Sequence, residues 1–298
     1  MLTVPVFSAL REHRPDAQIG LIGYPRTNRL AIACGLADST RSLDDAEIAG
    51  LFSRNAPPAP ALADYLRSFD TVISYLHDPD DTVRENLAES CAGRIICHSP
   101  QVTSGHAADH LCAPLTLLGI PVPGIAIPRL RLPEECARKG KKLLRPLGAA
   151  VVILHPGSGS ERKNWPAAKF ADLARRIHSD SQLTPVFSFG EADSAVRAAL
   201  DRLAPDVKVI PTCDLAELAA ILAACRGYVG NDSGITHLAA ALGIPVIALL
   251  GPTDPAVWRP RGNNVSVIRA AQHTTEGLAA ITVEEVLRSL DQRARRAT

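Results

Sequence analysis

One stretch of the chain predicts a buried strand, a polar turn, a short helix and a second buried strand in direct succession. It spans residues 227–251 and reads GYVGNDSGITHLAAALGIPVIALLG. Asn231 and Asp232 are residue types favoured at helix N-caps, and Gly243 is typical of a helix C-terminus. Such an alternation of apolar strands with a helix is typical of parallel α/β layers.

The polar turn of this stretch has the chemistry of an anion site. Ser233 and Gly234 let the backbone turn closely into the helix predicted over residues 235–242. The first N–H groups of a helix have no partner within it and lie at the positive end of its dipole, where a phosphate is stabilised. His237 lies in the first helical turn and can add a donor. The alternative is an ordinary capped helix with a half-buried histidine.

A second loop has matching chemistry. It reads HPGSGSERKNWP over residues 155–166 and follows the apolar strand predicted at residues 150–154. In open parallel sheets, ligands bind at the carboxyl ends of strands, where such loops lie. The hydroxyls of Ser158 and Ser160 can reach phosphate oxygens, and Lys163 supplies a positive charge. A solvated surface lysine is the alternative for Lys163.

Length and composition fit two α/β domains. The 298 residues are 46% apolar, which is enough for two cores. We place the domain break at Gly148, between a first domain of residues 1–147 and a second of residues 148–298. The helical pattern of Val283–Arg296 can pack back on the first domain. Strands are predicted from short apolar runs at residues 19–22, 71–76, 151–154, 186–189 and 245–250.

Several classes of protein are excluded by composition. The seven cysteines form no C-x-x-C pair, so neither a disulfide framework nor a zinc site is predicted. The longest apolar stretch, residues 238–250, is too short and too interrupted to span a bilayer. A formal net charge of +1 and few aromatic residues argue against nucleic acid as a partner. We therefore expect a cytoplasmic protein.

A basic cluster stands out before the predicted domain break. It contains seven Lys and Arg residues and two acidic residues, Glu134 and Glu135. A solvated helix face explains the cluster, and the alternative is a peripheral contact with the anionic inner face of the cytoplasmic membrane. The basic residues are Arg129, Arg131, Arg138, Lys139, Lys141, Lys142 and Arg145.

Three blocks, in this order and spacing, resemble glycosyltransferase family 9, the ADP-heptose:lipopolysaccharide heptosyltransferases. They read HPGSGSERKNWP, FSFGEAD and GNDSGITHLAAALGIPVIALLGPTDPAVWRP, and cover most of residues 150–260. The resemblance implies the GT-B fold, an α/β class in which two Rossmann-like domains face each other across a cleft. It also implies transfer of a heptose or a related sugar from an ADP-linked donor to a lipopolysaccharide-core-type acceptor. The family inverts the anomeric configuration and requires no metal or other cofactor.

The resemblance assigns nucleotide-sugar contacts in the first two blocks. Lys163 matches the family lysine that contacts the phosphate of the donor, and Ser158 and Ser160 would donate hydroxyl bonds from the same loop. Glu191 matches an acid that binds the ribose hydroxyls. Its alternative is an acid at the start of the helix predicted over residues 193–203.

In the third block, Asp232, Ser233 and Gly234 match the D-[TS]-G turn, whose backbone N–H groups hold the pyrophosphate. His237 matches the phosphate-contacting histidine of the family. Negative charge grows on the β-phosphate as the glycosidic bond breaks. Donors preorganised around that phosphate would therefore stabilise the transition state more than the ground state.

The chain departs from the family at its start. Family members begin with a strand and a Gly-Asp loop that carries the expected catalytic base, whereas Met1 aligns inside or just before the first helix. Either the natural product is longer or the loop has been lost. We expect the former, because a sheet without its central strand leaves a gap and unpaired edges. Asp78, after the strand at residues 71–76, is the substitute candidate for the base, and a plain loop carboxylate is the alternative.

Two other function classes stay open, and no metal site is predicted. His106 and His110 lie four residues apart, but the sequence offers no third ligand near them. A non-catalytic nucleotide-sugar-binding protein would fit the absent Gly-Asp loop. An epimerase or hydrolase would act on the donor without an acceptor.

Overall fold

The computed structural model describes residues 1–54, 58–180, 182–211, 213–270 and 277–296. The chain divides into two compact units, Leu2–Ala126 and a larger unit that begins at Ile127. Each unit has parallel strands and helices, as the sequence predicts for an α/β protein. No helix in the described part of the chain is both long and apolar enough to cross a membrane.

The smaller unit contains two separate pairs of parallel strands. Strand β1 (Gly20–Gly23) pairs with β2 (Ser39–Ser42), and β3 (Thr71–Ser74) pairs with β4 (Arg94–Cys97). In the described residues no strand joins the two pairs into one sheet.

Helices and apolar clusters surround these strand pairs. One cluster is formed by six buried side chains, Ile48, Leu51, Leu62, Leu66, Val83 and Leu87. Two of the helices begin with a proline, whose missing N–H would be unpaired at that position in any case. The helices are α1 (Val4–His13), α2 (Pro25–Ala33), α3 (Pro60–Arg67), α4 (Thr82–Ser90) and α5 (Ala107–Cys112).

The larger unit is built on one parallel sheet of six strands. Its order is β10-β9-β8-β5-β6-β7, and every residue of β5, β8 and β9 is buried. Burial on both faces explains why β9 and the first four residues of β5 are all apolar. The strands are β5 (Val151–His155), β6 (Thr184–Phe187), β7 (Lys208–Val209), β8 (Gly227–Asn231), β9 (Val246–Leu250) and β10 (Val265–Arg269).

In the described residues, seven α-helices belong to this unit. The last of them has the bounds predicted from its apolar periodicity, and it packs against the first helix after β5. Phe170, Leu173 and Val286 belong to the core shared by these two helices and the sheet. The helices are α6 (Glu134–Leu144), α7 (Ala167–Asp180), α8 (Ser194–Leu203), α9 (Leu215–Ala224), α10 (Gly234–Ala241), α11 (Pro255–Trp258) and α12 (Val283–Arg296).

The division between the units lies earlier than the break predicted at Gly148, because α6 packs on α9. The two helices approach so closely that a Cβ at Gly140 would overlap the carbonyl of Ala220. Lys139 on α6 also donates to Glu217 on α9 across 2.7 Å. The sequence of α6 is dominated by exposed charges, so its narrow buried face, which includes Gly140 and Leu144, gave little signal.

The strand order places a topological switch point between β5 and β8. From β5 the chain builds β6 and β7 on one side, and it then returns to place β8 and β9 on the other. The connections after β5 and β8 therefore leave in opposite directions, which opens a crevice at the carboxyl ends of these strands. His155, the last residue of β5, is in register with Gly230 near the end of β8.

Candidate functional site

The polar turn after β8 caps α10 and leaves the helix N-terminus open. Ser233 is the N-cap, and its Oγ accepts a hydrogen bond from the N–H of Thr236 at 3.3 Å. The first N–H groups of a helix, here those of Gly234 and Ile235, have no acceptor within the helix. Gly234 is exposed, and a Cβ there would meet no atom within 4 Å. The backbone at this turn is therefore accessible to an anion.

A buried threonine holds this turn in shape. Thr236 has no exposed surface, and its hydroxyl donates to the carbonyl of Asn231 at the end of β8. Its oxygen also lies 3.0 Å from the hydroxyl of Tyr228. Sequence reasoning gave Thr236 no role. The available signal was a polar residue among the apolar residues of a buried helix.

The two predicted phosphate-binding segments meet at Asp232. Lys163 Nζ donates to Asp232 Oδ2 at 3.0 Å, although the two residues are 69 positions apart. On the other side of the carboxylate, His237 Nε2 lies 3.8 Å from Asp232 Oδ1. The structure thus brings together three of the residues predicted from the two loops.

Asp232 is a mostly buried carboxylate that stays ionised. Its side chain is 7% exposed, whereas that of Lys163 is 37% exposed. Burial alone would raise the pKa of Asp232, but hydrogen bonding by His237, Thr253 and Lys163 outweighs it and holds the pKa well below its usual range. The carboxylate therefore orients the ammonium of Lys163, which remains partly open to solvent.

The loop after β5 uses its small residues in different ways. Ser158 Oγ donates to the carbonyl of Ser160 at 2.7 Å and accepts from the N–H of Ser160 at 3.2 Å, so this hydroxyl stabilises the turn. Ser160 itself is exposed. A Cβ at Gly157 would overlap the carboxylate of Asp193, whereas one at Gly159 would meet no atom within 4 Å. Only the first of these glycines is required by close packing.

Glu191 lies at the carboxyl end of β6, in a short 3-10 turn that leads to α8. It is exposed, while Asp193 in the same turn is buried and accepts from the N–H of Gly190 at 2.6 Å. The carboxylate that stabilises the start of this turn is therefore Asp193. Glu191 is placed where it can reach a ligand at this edge of the sheet.

A buried histidine supports the same edge and was missed by the sequence reasoning. His155 Nε2 lies 4.0 Å from Asp193 Oδ2, and its Nδ1 lies 2.9 Å from Ser188 Oγ. Burial lowers the pKa of His155, and the neighbouring carboxylate offsets this only in part. A neutral imidazole thus links the loops after β5 and β6.

The weaker candidates have structural roles. The two carboxylate oxygens of Asp78 accept the N–H groups of Val83 and Arg84, each at 2.9 Å, at the start of α4. Its role as a substitute base stays a prediction. His106 caps α5, since its Nδ1 accepts from the N–H of Ala108. His110 Nε2 lies 2.7 Å from the carbonyl of Ser99.

The fold defines a class of protein, the α/β proteins with the GT-B fold. A family 9 glycosyltransferase from Veillonella parvula superposes with a TM-score of 0.80 at 20% identity, covering 99% of this chain and 93% of that one. The Escherichia coli heptosyltransferase WaaC, solved with ADP, gives 0.70 at 19% identity and covers 98% and 95% of the two chains. These likenesses confirm the predicted fold class.

Sequence comparison identifies the family. The model of glycosyltransferase family 9 (heptosyltransferase) matches residues 111–285, more than half of the chain. Lipopolysaccharide heptosyltransferase 1 of Pseudomonas aeruginosa is 36% identical over 110 residues, which are 36% of this chain and 30% of that protein. The alignments span less than half the length of the first curated relatives that the chain matches. The chain belongs to glycosyltransferase family 9, which confirms the resemblance found in its sequence.

Proposed function

We propose that this protein transfers a heptose, or a related sugar, from an ADP-linked donor to a lipopolysaccharide-core-type acceptor. Family membership supports glycosyl transfer, and the names of the relatives support heptose and lipopolysaccharide. The observation that carries the proposal is the convergence of Lys163, His237 and the N-terminus of α10 on Asp232. These groups lie at the switch point, where open α/β sheets bind their ligands.

The donor diphosphate fits this end of the sheet. Its negative charge is complementary to the ammonium of Lys163 and to the helix N–H groups after Ser233. Glu191, in the turn that follows the adjacent strand β6, would accept hydrogen bonds from the ribose hydroxyls. The nucleotide would therefore lie along the carboxyl ends of β8, β5 and β6, with its diphosphate at α10.

The same groups suit the chemical step. An acceptor hydroxyl gives its proton to a carboxylate base and attacks the anomeric carbon, the bond to the β-phosphate breaks, and ADP leaves with its added negative charge. A single displacement of this kind inverts the configuration. Because Asp232 already fixes Lys163, the ammonium is oriented before that charge develops. Positive charge from Lys163 and the helix dipole would stabilise the leaving group without a metal ion.

Replacing Gly234 separates ligand binding from folding. We expect Gly234→Ala to weaken ADP binding by about tenfold or more, because a methyl group at this exposed position would occupy the space through which the pyrophosphate approaches the backbone. The same methyl meets no protein atom, and alanine is the better helix former by up to about 1 kcal/mol, so thermal stability should not fall. Calorimetric titration with ADP and thermal unfolding measure the two effects.

Gly124→Ala is the matched control, since a Cβ at Gly124 also meets no atom within 4 Å but lies in the smaller unit. It should leave ADP affinity unchanged. Unaltered ADP affinity in Gly234→Ala would remove the pyrophosphate from the N-terminus of α10.

The activity itself is tested by supplying ADP-heptose with and without a lipopolysaccharide-core acceptor. Release of ADP only when the acceptor is present, with a glycosylated product of inverted configuration, is the expected result. Donor consumption without an acceptor would indicate a hydrolase or an epimerase. Donor binding without ADP release in either case would indicate a non-catalytic binding protein.

A lipid-linked acceptor would bring the protein to the inner face of the cytoplasmic membrane, and α6 offers a surface for it. Four exposed basic residues follow the spacing i, i+3, i+4 and i+7 and therefore share one face, opposite Gly140 and Leu144, which pack on α9. We propose that this face makes a peripheral contact with anionic lipid. The four residues are Arg138, Lys141, Lys142 and Arg145.

Vesicle sedimentation tests this contact. Each basic residue near an anionic surface contributes about 1 kcal/mol, so changing all four to Gln should abolish sedimentation with phosphatidylglycerol-containing vesicles. Lys139→Gln, which removes a lysine already paired with Glu217, should have little effect. Equal sedimentation of the wild-type protein with neutral and anionic vesicles would contradict the proposal.

A further inference from the structure

We propose that Asn231 is a positioning residue of the nucleotide site, which holds the loop that carries Lys163. The side chain of Asn231 has no exposed surface, and it makes two backbone contacts in that loop. Its Nδ2 donates to the carbonyl of Pro156 at 2.7 Å, and its Oδ1 accepts from the N–H of Trp165 at 3.0 Å.

These two contacts close the loop at both ends. Pro156 and Trp165 flank residues 157–164, which include both predicted serines and Lys163. Asn231 Nδ2 also lies 3.5 Å from Asn164 Oδ1. One side chain from β8 thus fixes the entry and the exit of a segment that begins at the end of β5.

The far end of the loop has an independent anchor. Trp165 is fully buried, and its Nε1 donates to the carbonyl of Ile281 at 3.0 Å. The indole packs edge-on against Phe170 of α7, with ring centroids 5.0 Å apart. Asn231 therefore attaches the loop to a rigid point of the core.

The attachment matters for the proposed site because of the position of Asn231 in the chain. Asn231 directly precedes Asp232, the partner of Lys163 at 3.0 Å. The same residue therefore fixes the loop of the lysine relative to the turn of the carboxylate. Because ordering a loop costs conformational entropy, a loop held in place before the ligand arrives binds it more tightly. The inference rests on the proposed donor site.

An isosteric variant tests this role through pH. In its contacts with Pro156 and Trp165, Asn231 uses one donor and one acceptor, and a neutral carboxylic acid offers the same pair. A carboxylate offers only acceptors and would face the carbonyl of Pro156. In Asn231→Asp, ADP affinity relative to wild type should be about tenfold or more lower at about pH 8 and should recover at about pH 5.5, because burial raises the pKa of the new carboxyl group.

Each affinity is expressed as a ratio to wild type at the same pH, which cancels the effects of pH on ADP and on the parts of the protein that the variants share. Asn231→Ala cannot donate a hydrogen bond at any pH, so it should bind ADP weakly at both pH values. If Asn231→Asp does not fold, Asn231→Ala alone tests whether Asn231 positions the loop. A fall in thermal stability with unchanged ADP affinity in Asn231→Ala would overturn the inference. So would an Asn231→Asp ratio that is the same at both pH values.

The smaller unit provides a matched control. Asn86 is 8% exposed, and its Nδ2 also donates to backbone carbonyls, those of Gly50, Leu51 and Ser53 at 3.2, 3.1 and 2.9 Å. Asn86→Asp should lower stability and leave ADP affinity unchanged. If wild-type protein fails to bind ADP, the proposed function fails; if wild type binds and the Asn231 variants bind equally well, only the present inference fails.

Discussion

Lys163→Met is expected to weaken ADP binding by roughly ten- to a hundredfold. The variant loses a charge-assisted contact with the diphosphate, which is worth about 1.5–3 kcal/mol. It also leaves the mostly buried carboxylate of Asp232 without its partner at 3.0 Å, next to the bound phosphates. Both effects act in the same direction. Calorimetric titration with ADP measures the loss.

Lys139→Met is the control for this change. Lys139 is also a lysine in a close ion pair, with Glu217 at 2.7 Å, but the pair joins α6 to α9 and neither residue belongs to the predicted loops. Its replacement should leave ADP affinity unchanged. If Lys163→Met binds ADP as tightly as wild type, Lys163 does not contact the nucleotide.

The double variant Lys163→Met/Asp232→Asn, compared with the two single variants, measures the coupling between these side chains in ADP binding. Removing the carboxylate as well should recover part of the lost affinity, because an uncompensated charge no longer faces the phosphates. If the losses of ADP affinity in Lys163→Met and Asp232→Asn add up in the double variant, Asp232 does not act through Lys163. The cycle thus separates the orienting role of the carboxylate from the contact made by the lysine.

Much of the larger unit could be predicted from sequence because its signals are local. Continuous apolar runs marked β9 and the first four residues of β5, since a parallel strand buried on both faces favours apolar residues at most positions. The helix predicted over residues 235–242 is observed as Gly234–Ala241, because Ser233 and Gly243 mark its ends chemically. The helical spacing of apolar residues in Val283–Arg296 defined α12 in the same way.

Contacts between distant positions were not predictable in this manner. Asn231 reaches Pro156 across 75 positions, and nothing in its neighbourhood distinguishes this amide from an ordinary N-cap. His155 and Asp193 were likewise assigned to separate motifs, although they lie 4.0 Å apart. Spacing along the chain shows which loops share a sheet edge, but it does not show which side chains join them.

The packing of α6 on α9 is another contact that could not be predicted from the sequence. Disturbing it should have a large effect on stability. Gly140→Ala should lower the free energy of unfolding by about 2–3 kcal/mol, because the added Cβ would overlap the backbone carbonyl of Ala220 and force α6 away from α9. Helix propensity acts in the opposite direction, since alanine is favoured over glycine by about 1 kcal/mol in a helix interior. The steric term is the larger one, because a backbone carbonyl cannot rotate away as a flexible side chain can.

Urea-induced unfolding of Gly140→Ala beside Gly124→Ala measures this difference. A Cβ at Gly124 meets no atom within 4 Å, so that variant should be as stable as wild type. ADP should raise the unfolding midpoint of Gly140→Ala, because a ligand that binds only the folded state stabilises it. If Gly140→Ala is instead more stable than wild type, propensity dominates and α6 does not pack closely on α9.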